Sequence, residues 1–89
     1  MAGVTDAQKA KEIAQESVET FFPDASGILL EEMELDKVKK NWLVTLSFEI
    51  RPDTPSEMLS IKKTRVFKVF TVESKTGNLI SMKNRDMNP

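Results

Sequence analysis

The sequence predicts an α+β fold in which one N-terminal helix packs on a four-stranded antiparallel meander sheet, forming two layers. Three observations support this prediction. An amphipathic segment ends at Pro23, a strictly alternating segment runs from Trp42 to Ile50, and a β-hairpin pattern runs from Lys62 to Met82. The order of these elements favours a meander, because consecutive strands usually pair with each other.

The first element is predicted to be a helix. Thr5 followed three residues later by Gln8 forms a capping-box pattern, and Asp6 in the first turn suits the helix dipole. Apolar residues then recur at spacings of three and four, the period of one helix face. Pro23 ends the helix because it disfavours the helical conformation of the preceding residue. The apolar stripe consists of Ala10, Ile13, Ala14, Val18, Phe21 and Phe22.

Two strands are predicted next. Between residues 28 and 36 the alternation is imperfect, because Leu29 and Met33 share a face with Glu31, so this segment is predicted to be an edge strand or a bulged one. A charged turn at 36–40 leads to the most regular strand, in which one face is wholly apolar. That face consists of Trp42, Val44, Leu46, Phe48 and Ile50.

A proline-rich loop at 51–57 precedes the hairpin, and three apolar residues, Met58, Leu59 and Ile61, follow it. Two interpretations stay open for these residues. The loop either folds back over one end of the core, since long loops without such packing are uncommon, or the 51–61 segment forms a tip that binds a partner.

The hairpin is organised by the turn Ser74–Gly77, which Gly77 closes in the left-handed conformation that glycine adopts without penalty. The turn fixes the register of the two strands, and the predicted core-side pairs are Val72 with Ile80 and Phe70 with Met82. The helix leaves the other side of the sheet open. The apolar strip predicted there consists of Leu43, Phe67, Val69 and Leu79.

Several of these features together resemble the PepSY family. They are a helix that ends in Phe22-Pro23, a glycine turn, a strand led by Trp42, and the stretch Val72-Glu73-Ser74-Lys75-Thr76-Gly77-Asn78-Leu79. That stretch is similar to the family's Val-Asp-x-x-Thr-Gly-x-Val pattern, with Glu73 and Leu79 in place of Asp and Val and a longer loop before it. The resemblance covers most of the chain, and cystatin-like helix-on-sheet folds are a looser analogy. It implies a non-catalytic domain that binds or inhibits a protein partner.

The composition removes most catalytic chemistry. The chain has no Cys and no His, which excludes thiol nucleophiles, histidine acid–base catalysis and zinc sites built on those ligands. One carboxylate cluster is present, but strand alternation splits it between two faces, so no metal site is expected. The cluster consists of Glu31, Glu32, Glu34 and Asp36. We therefore predict no enzyme activity and no cofactor.

Length and charge suggest one small domain without a global charge signal. A chain of 89 residues has room for a single core, so we expect one domain over residues 1–89 with flexible ends at 1–4 and 84–89. Lys and Arg number 13 against 14 Asp and Glu. The sequence as given shows neither an apolar leader nor a membrane-spanning run, so we expect a cytoplasmic location and no membrane partner, although a trimmed leader stays open.

Two functions remain for such a domain. The favoured interpretation is a protein-binding or regulatory module that acts through the apolar strip or through Met58 and Leu59 in the 51–61 loop, with a protein partner or a second copy of the chain. The alternative is a nucleic-acid-binding domain, because basic residues interleave with aromatic ones in the next strand. These basic residues are Lys62, Lys63, Arg65 and Lys68.

Overall fold

The fold is an antiparallel meander covered on one face by a helix. The computed structural model describes residues 5–50 and 64–85. The elements are helix α1 (Ala7–Phe21) and strands β1 (Ser26–Asp36), β2 (Asn41–Ile50), β3 (Thr64–Glu73) and β4 (Leu79–Asn84). The strands lie in the order β1-β2-β3-β4, every neighbouring pair is antiparallel, and α1 contacts the sheet. The predicted α+β fold is confirmed.

Part of the prediction lies outside the described residues. This applies to the 51–61 loop with Met58 and Leu59, to Lys62 and Lys63, and to the chain ends at 1–4 and 86–89. In the part of the chain that the structure describes, no helix is long and apolar enough to cross a membrane.

The hydrophobic core lies between α1 and the helix-facing side of the sheet. Its fully buried members are Ala10, Ala14, Val18, Val44, Leu46, Phe48, Phe70 and Val72. The two alanines let the helix approach the sheet closely, and the rings of Phe22 and Phe48 meet with centroids 5.2 Å apart. One residue of the predicted stripe was misplaced. Phe21 is 56% exposed, because Phe22, four residues after Val18, takes the place on the buried face.

The helix starts one residue later than predicted. Asp6 is the N-cap, and its carboxylate accepts a hydrogen bond from the Lys9 N–H at 2.8 Å. Thr5 is nearly buried and uses its backbone elsewhere: its N–H donates to the Ser74 carbonyl at 2.6 Å, and its carbonyl accepts from the Trp42 indole N–H at 2.9 Å. Thr5 therefore ties the start of the helix to the sheet.

Strand β1 is both an edge strand and a bulged one, as its imperfect alternation predicts. Its register with β2 is irregular between Ser26 and Leu29 and again between Leu30 and Glu32. The second irregularity makes Glu31 the extra residue. In a regular strand Leu30 and Met33 would lie on opposite faces. The extra residue brings both to the helix-facing side, with Leu30 opposite Leu46 and Met33 opposite Val44.

The turn between β3 and β4 is confirmed, but the register beside it is not. Glu73 donates its N–H to the Asn78 carbonyl at 2.9 Å, so Ser74 does not face Asn78. Val72 lies opposite Leu79, and Ile80 is an extra residue before the next pair.

The bulge at Ile80 restores the predicted register farther along the hairpin, where Phe70 lies opposite Met82. The bulge also exchanges the positions of Leu79 and Ile80 between the core and the exposed surface. Leu79, predicted on the open side of the sheet, packs against the core, and Ile80, predicted in the core, is 52% exposed. Both placements from the sequence were wrong because a one-residue shift moves a strand residue to the other face.

The end of β4 is also longer than predicted. The sequence predicts a flexible tail from residue 84, yet Asn84 belongs to β4 and pairs with Lys68 of β3. The N–H of Arg85 then donates to the Phe67 carbonyl at 3.0 Å. Backbone pairing therefore joins both residues to β3.

The two hairpin turns share one backbone pattern. Each has four residues, and the N–H of the fourth donates to the carbonyl before the turn, from Lys40 to Asp36 at 2.6 Å and from Gly77 to Glu73 at 2.8 Å. The fourth residue has a positive φ in both turns, 57° at Lys40 and 77° at Gly77. Only one of these positions is occupied by glycine.

Replacing Lys40 with Gly is expected to stabilise the domain by up to about 1 kcal/mol. The left-handed conformation costs a non-glycine residue about 1–2 kcal/mol, and the greater freedom of glycine in the unfolded chain offsets part of the gain. Urea denaturation of both proteins measures the difference. Lys39→Gly is the matched control and should be neutral or destabilising, because Lys39 does not have a positive φ. Equal effects of the two substitutions would contradict the strain at Lys40.

Candidate interaction surface

The open face is the side of the sheet that α1 does not cover. Leu43, Phe67 and Val69 lie on it, as alternation predicts: Phe67 is opposite Ser47, and Val69 is opposite Thr45. All three apolar side chains are partly buried. Their role in binding stays a prediction, and the fourth predicted member, Leu79, belongs to the core side instead.

A chain of polar contacts links three strands across the open face. The Ser47 hydroxyl, fully buried, donates to Glu31 Oε2 at 2.6 Å and accepts from Arg65 Nη1 at 2.7 Å. The other guanidinium nitrogen of Arg65 donates to the Gly27 carbonyl at 3.1 Å. Charged groups at both ends strengthen such bonds. The network therefore fixes β1 and β3 relative to β2.

A second contact joins the two outer strands. Arg85 Nη2 lies 3.9 Å from Glu32 Oε1, although Glu32 is in β1 and Arg85 directly follows β4. With neighbouring strands about 4.8 Å apart, the two backbones are separated by roughly 14 Å, so both side chains extend over the middle strands. Thr45, the partner of Glu32 in β2, is almost fully buried beneath this region. The pair is substantially exposed and contributes little to stability.

These contacts change the character of the open face. The sequence predicts a continuous apolar strip, whereas the structure places polar and charged groups between the apolar ones. Sequence reasoning could not find the links from Glu31 to Ser47 or from Glu32 to Arg85, since each joins residues distant along the chain.

Three of the four exposed large apolar side chains in the described strands lie on β1, and the fourth, Ile80, lies on β4. Leu29, Leu30 and Leu35 are 52%, 45% and 39% exposed. Leu29 lies on the open face, opposite Ser47, whereas Leu30 and Leu35 lie opposite Leu46 and Trp42 on the helix-facing side. We call these three leucines, together with Glu32 and Glu34, the β1 edge. The signal in the sequence was the imperfect alternation of this strand, which indicated an edge but not its exposed leucines.

Of the four basic residues proposed for nucleic-acid binding, the structure describes Arg65 and Lys68, and these two lie on opposite faces of the sheet. Arg65 lies opposite Glu49 and takes part in the network on the open face. Lys68 lies opposite Leu46 on the helix-facing side, where its ammonium group hydrogen-bonds Asn84 and sits 5.6 Å from the centre of the Phe22 ring.

The carboxylates of β1 have separate partners rather than a common centre. Glu31 accepts from Ser47, Glu32 faces Arg85, and Asp36 Oδ1 accepts from the N–H groups of Val38 and Lys39 at 3.1 and 3.2 Å. Within residues 5–50 and 64–85, no group of acidic side chains is arranged to hold a metal ion.

Comparison with known proteins finds no match to a family model, to a curated protein or to a solved structure. The resemblance to the PepSY family therefore stays a prediction that rests on the hairpin stretch around Gly77 and on the features quoted with it.

Proposed function

We propose that this domain is a non-catalytic module that binds another protein through the open face and the adjoining β1 edge. The observation that carries the proposal is the concentration of exposed apolar surface on one outer strand, where Leu29, Leu30 and Leu35 are each at least 39% exposed. Leu29 lies on the open face and Leu30 and Leu35 on the helix-facing side, so the exposed apolar groups stand on both sides of this strand. Exposed apolar surface beside polar groups is typical of protein interaction sites. A regulatory or inhibitory role and a cytoplasmic location stay predictions from the sequence.

The hydrogen-bond network of the open face supports this proposal. The buried Ser47 hydroxyl is bonded on both sides, so Glu31 and Arg65 are held in fixed positions around the apolar residues. A preorganised surface loses less conformational entropy on binding than a flexible one. Phe67 and Val69 are thereby presented within a fixed polar frame.

The structure gives less support to nucleic-acid binding. A strand that binds single-stranded nucleic acid needs basic and aromatic side chains on the same face. Among the described residues, Arg65 and Lys68 point to opposite faces, and each already has hydrogen-bond partners. We therefore propose protein binding alone.

Phe67→Ser is expected to weaken partner binding by at least about tenfold while costing the free domain about 1 kcal/mol or less. An aromatic anchor at an interface contributes about 2 kcal/mol or more to binding, whereas Phe67 lies outside the core cluster. Thermal unfolding measures the stability. Quantitative capture from cell extract, with wild type and variant immobilised in parallel, measures binding.

Val38→Ser is the matched control for Phe67→Ser. Val38 is 90% exposed in the turn between β1 and β2 and belongs neither to the open face nor to the β1 edge. It should therefore change neither capture nor stability. Sedimentation at high protein concentration, with both variants, separates a second copy of the chain from a different partner. Equal capture by wild type and Phe67→Ser, with both folded, would remove the open face from the proposal.

A further inference from the structure

We propose that the β1 edge takes up an extended segment of a partner protein as a fifth strand, and that this segment alternates basic and apolar residues. The inference rests on the proposed function and specifies its partner. In the described part of the chain, β1 pairs with β2 alone, so its outer edge has no strand partner. An edge of this kind binds extended peptides through backbone hydrogen bonds, and side chains supply the specificity.

The regular part of the edge is long enough for such pairing. After the bulge at Glu31, the residues Glu32 to Asp36 run in unbroken register with β2, from Thr45 to Asn41. Five residues in an antiparallel strand span about 17 Å. Bulges and charges commonly protect edges from pairing, and here the bulge limits an incoming strand to this stretch.

The two faces of the stretch define the partner's pattern. Glu32 and Glu34 share the open face, and Leu35 lies on the helix-facing side. Glu34 is exposed and makes no ion pair with another described residue, whereas Glu32 faces Arg85. Directly opposed side chains on neighbouring strands interact, and opposite charges or paired apolar groups are favourable. A matching strand therefore places Lys or Arg opposite the glutamates and an apolar residue opposite Leu35.

The same charges argue against two copies of β1 pairing with each other. Antiparallel pairing of β1 with its copy would bring glutamates of one strand close to those of the other, which is unfavourable. The glutamates of the β1 edge thus repel a second copy of β1 and attract a basic strand. Repulsion of one partner together with attraction of another gives specificity. Strand β4 of a second copy carries Lys83, but it is short and bulged at Ile80.

A set of capped synthetic peptides tests the proposal. The first alternates lysine with valine, the second has glutamate in place of lysine, and the third has the composition of the first with its lysines grouped together. Fluorescence anisotropy measures the affinities. We expect the alternating basic peptide to bind at least about tenfold more tightly than either control, because only it satisfies both faces of β1. Its binding should also slow amide hydrogen exchange in β1, whereas a purely electrostatic contact would not.

Variants locate the binding site. Glu34→Gln and Glu34→Lys should weaken binding of the basic peptide progressively, the second by about tenfold or more, and Leu35→Ser should weaken it as well. The controls make the same changes on the helix, where Glu19 is exposed and Phe21 is 56% exposed. Glu19→Lys and Phe21→Ser should alter the affinity less than about twofold, because both residues belong to α1 and not to the stretch from Glu32 to Asp36.

Several results would overturn the proposal. One is equal binding of all three peptides, and another is equal loss in Glu34→Lys and Glu19→Lys. Slowed exchange in β4 instead of β1 would move the docking edge, and self-association of the wild-type chain through β1 would make a second copy the occupant. If Phe67→Ser abolishes partner capture while Glu34→Lys and Leu35→Ser leave it unchanged, the proposed function stands and the fifth strand does not.

Discussion

Trp42→Ala should destabilise the domain by about 3–5 kcal/mol, because truncation of a large core side chain removes buried apolar surface and leaves a cavity. Trp42 packs against the core cluster between the helix and the sheet. Its indole N–H also donates to the Thr5 carbonyl, so the substitution leaves that acceptor without its partner. Since small domains are stable by about 5–15 kcal/mol, we expect a large loss of folded protein, measured by urea denaturation and thermal unfolding.

Trp42→Phe separates the two contributions. It keeps most of the apolar volume but removes the hydrogen bond to Thr5, and it should cost about 1–3 kcal/mol. The difference between the two variants then reports packing. A melting temperature that hardly changes in Trp42→Ala would mean that the helix does not depend on this side chain and that the indole does not hold Thr5 to the sheet.

The elements that sequence reasoning predicted well are those set by local chemistry. Pro23 ends the helix region, the alternation from Trp42 to Ile50 identifies β2 and its buried face, and Gly77 marks the last turn. Each signal comes from residues within a few positions of one another, and no distant contact opposes it.

The errors arise where distant contacts decide the local structure. Thr5 has a good capping sequence, but its backbone bonds to Ser74 and Trp42 tie it to the sheet, and Asp6 is the N-cap. The extra residue at Ile80 likewise exchanges the environments of Leu79 and Ile80. Nothing in the hairpin sequence alone distinguishes this register from the regular one, because both place apolar residues near Val72.

The candidate surface was predictable only in part. Alternation places Leu43, Phe67 and Val69 correctly on the open face, since strand periodicity is a local property. The contact between Glu32 and Arg85 joins strands from opposite edges of the sheet. Such a contact depends on the strand order and on the bulges, neither of which the composition of a single strand determines.

Gly77→Val is expected to destabilise the domain by about 2–4 kcal/mol. Gly77 has a φ of 77°, a conformation that costs a β-branched residue about 1–3 kcal/mol. A Cβ atom at this position would also lie 3.1 Å from Thr5 Oγ1 and 3.2 Å from Ile13 Cδ1. Crowding of a packed site adds about 1–3 kcal/mol, so both the turn and the docking of the helix are disturbed. Chemical denaturation measures the loss.

Asn78→Val is the matched control, because Asn78 is exposed and lies one residue beyond the turn position that has a positive φ. Its carbonyl, which accepts from Glu73, is kept, so the cost should stay within about 0.5 kcal/mol. Gly77→Ala should fall between the two, since alanine meets the same first contacts without the β-branch. Equal losses in Gly77→Val and Asn78→Val would contradict the left-handed turn, and with it the hairpin register and the position of Thr5 against Gly77.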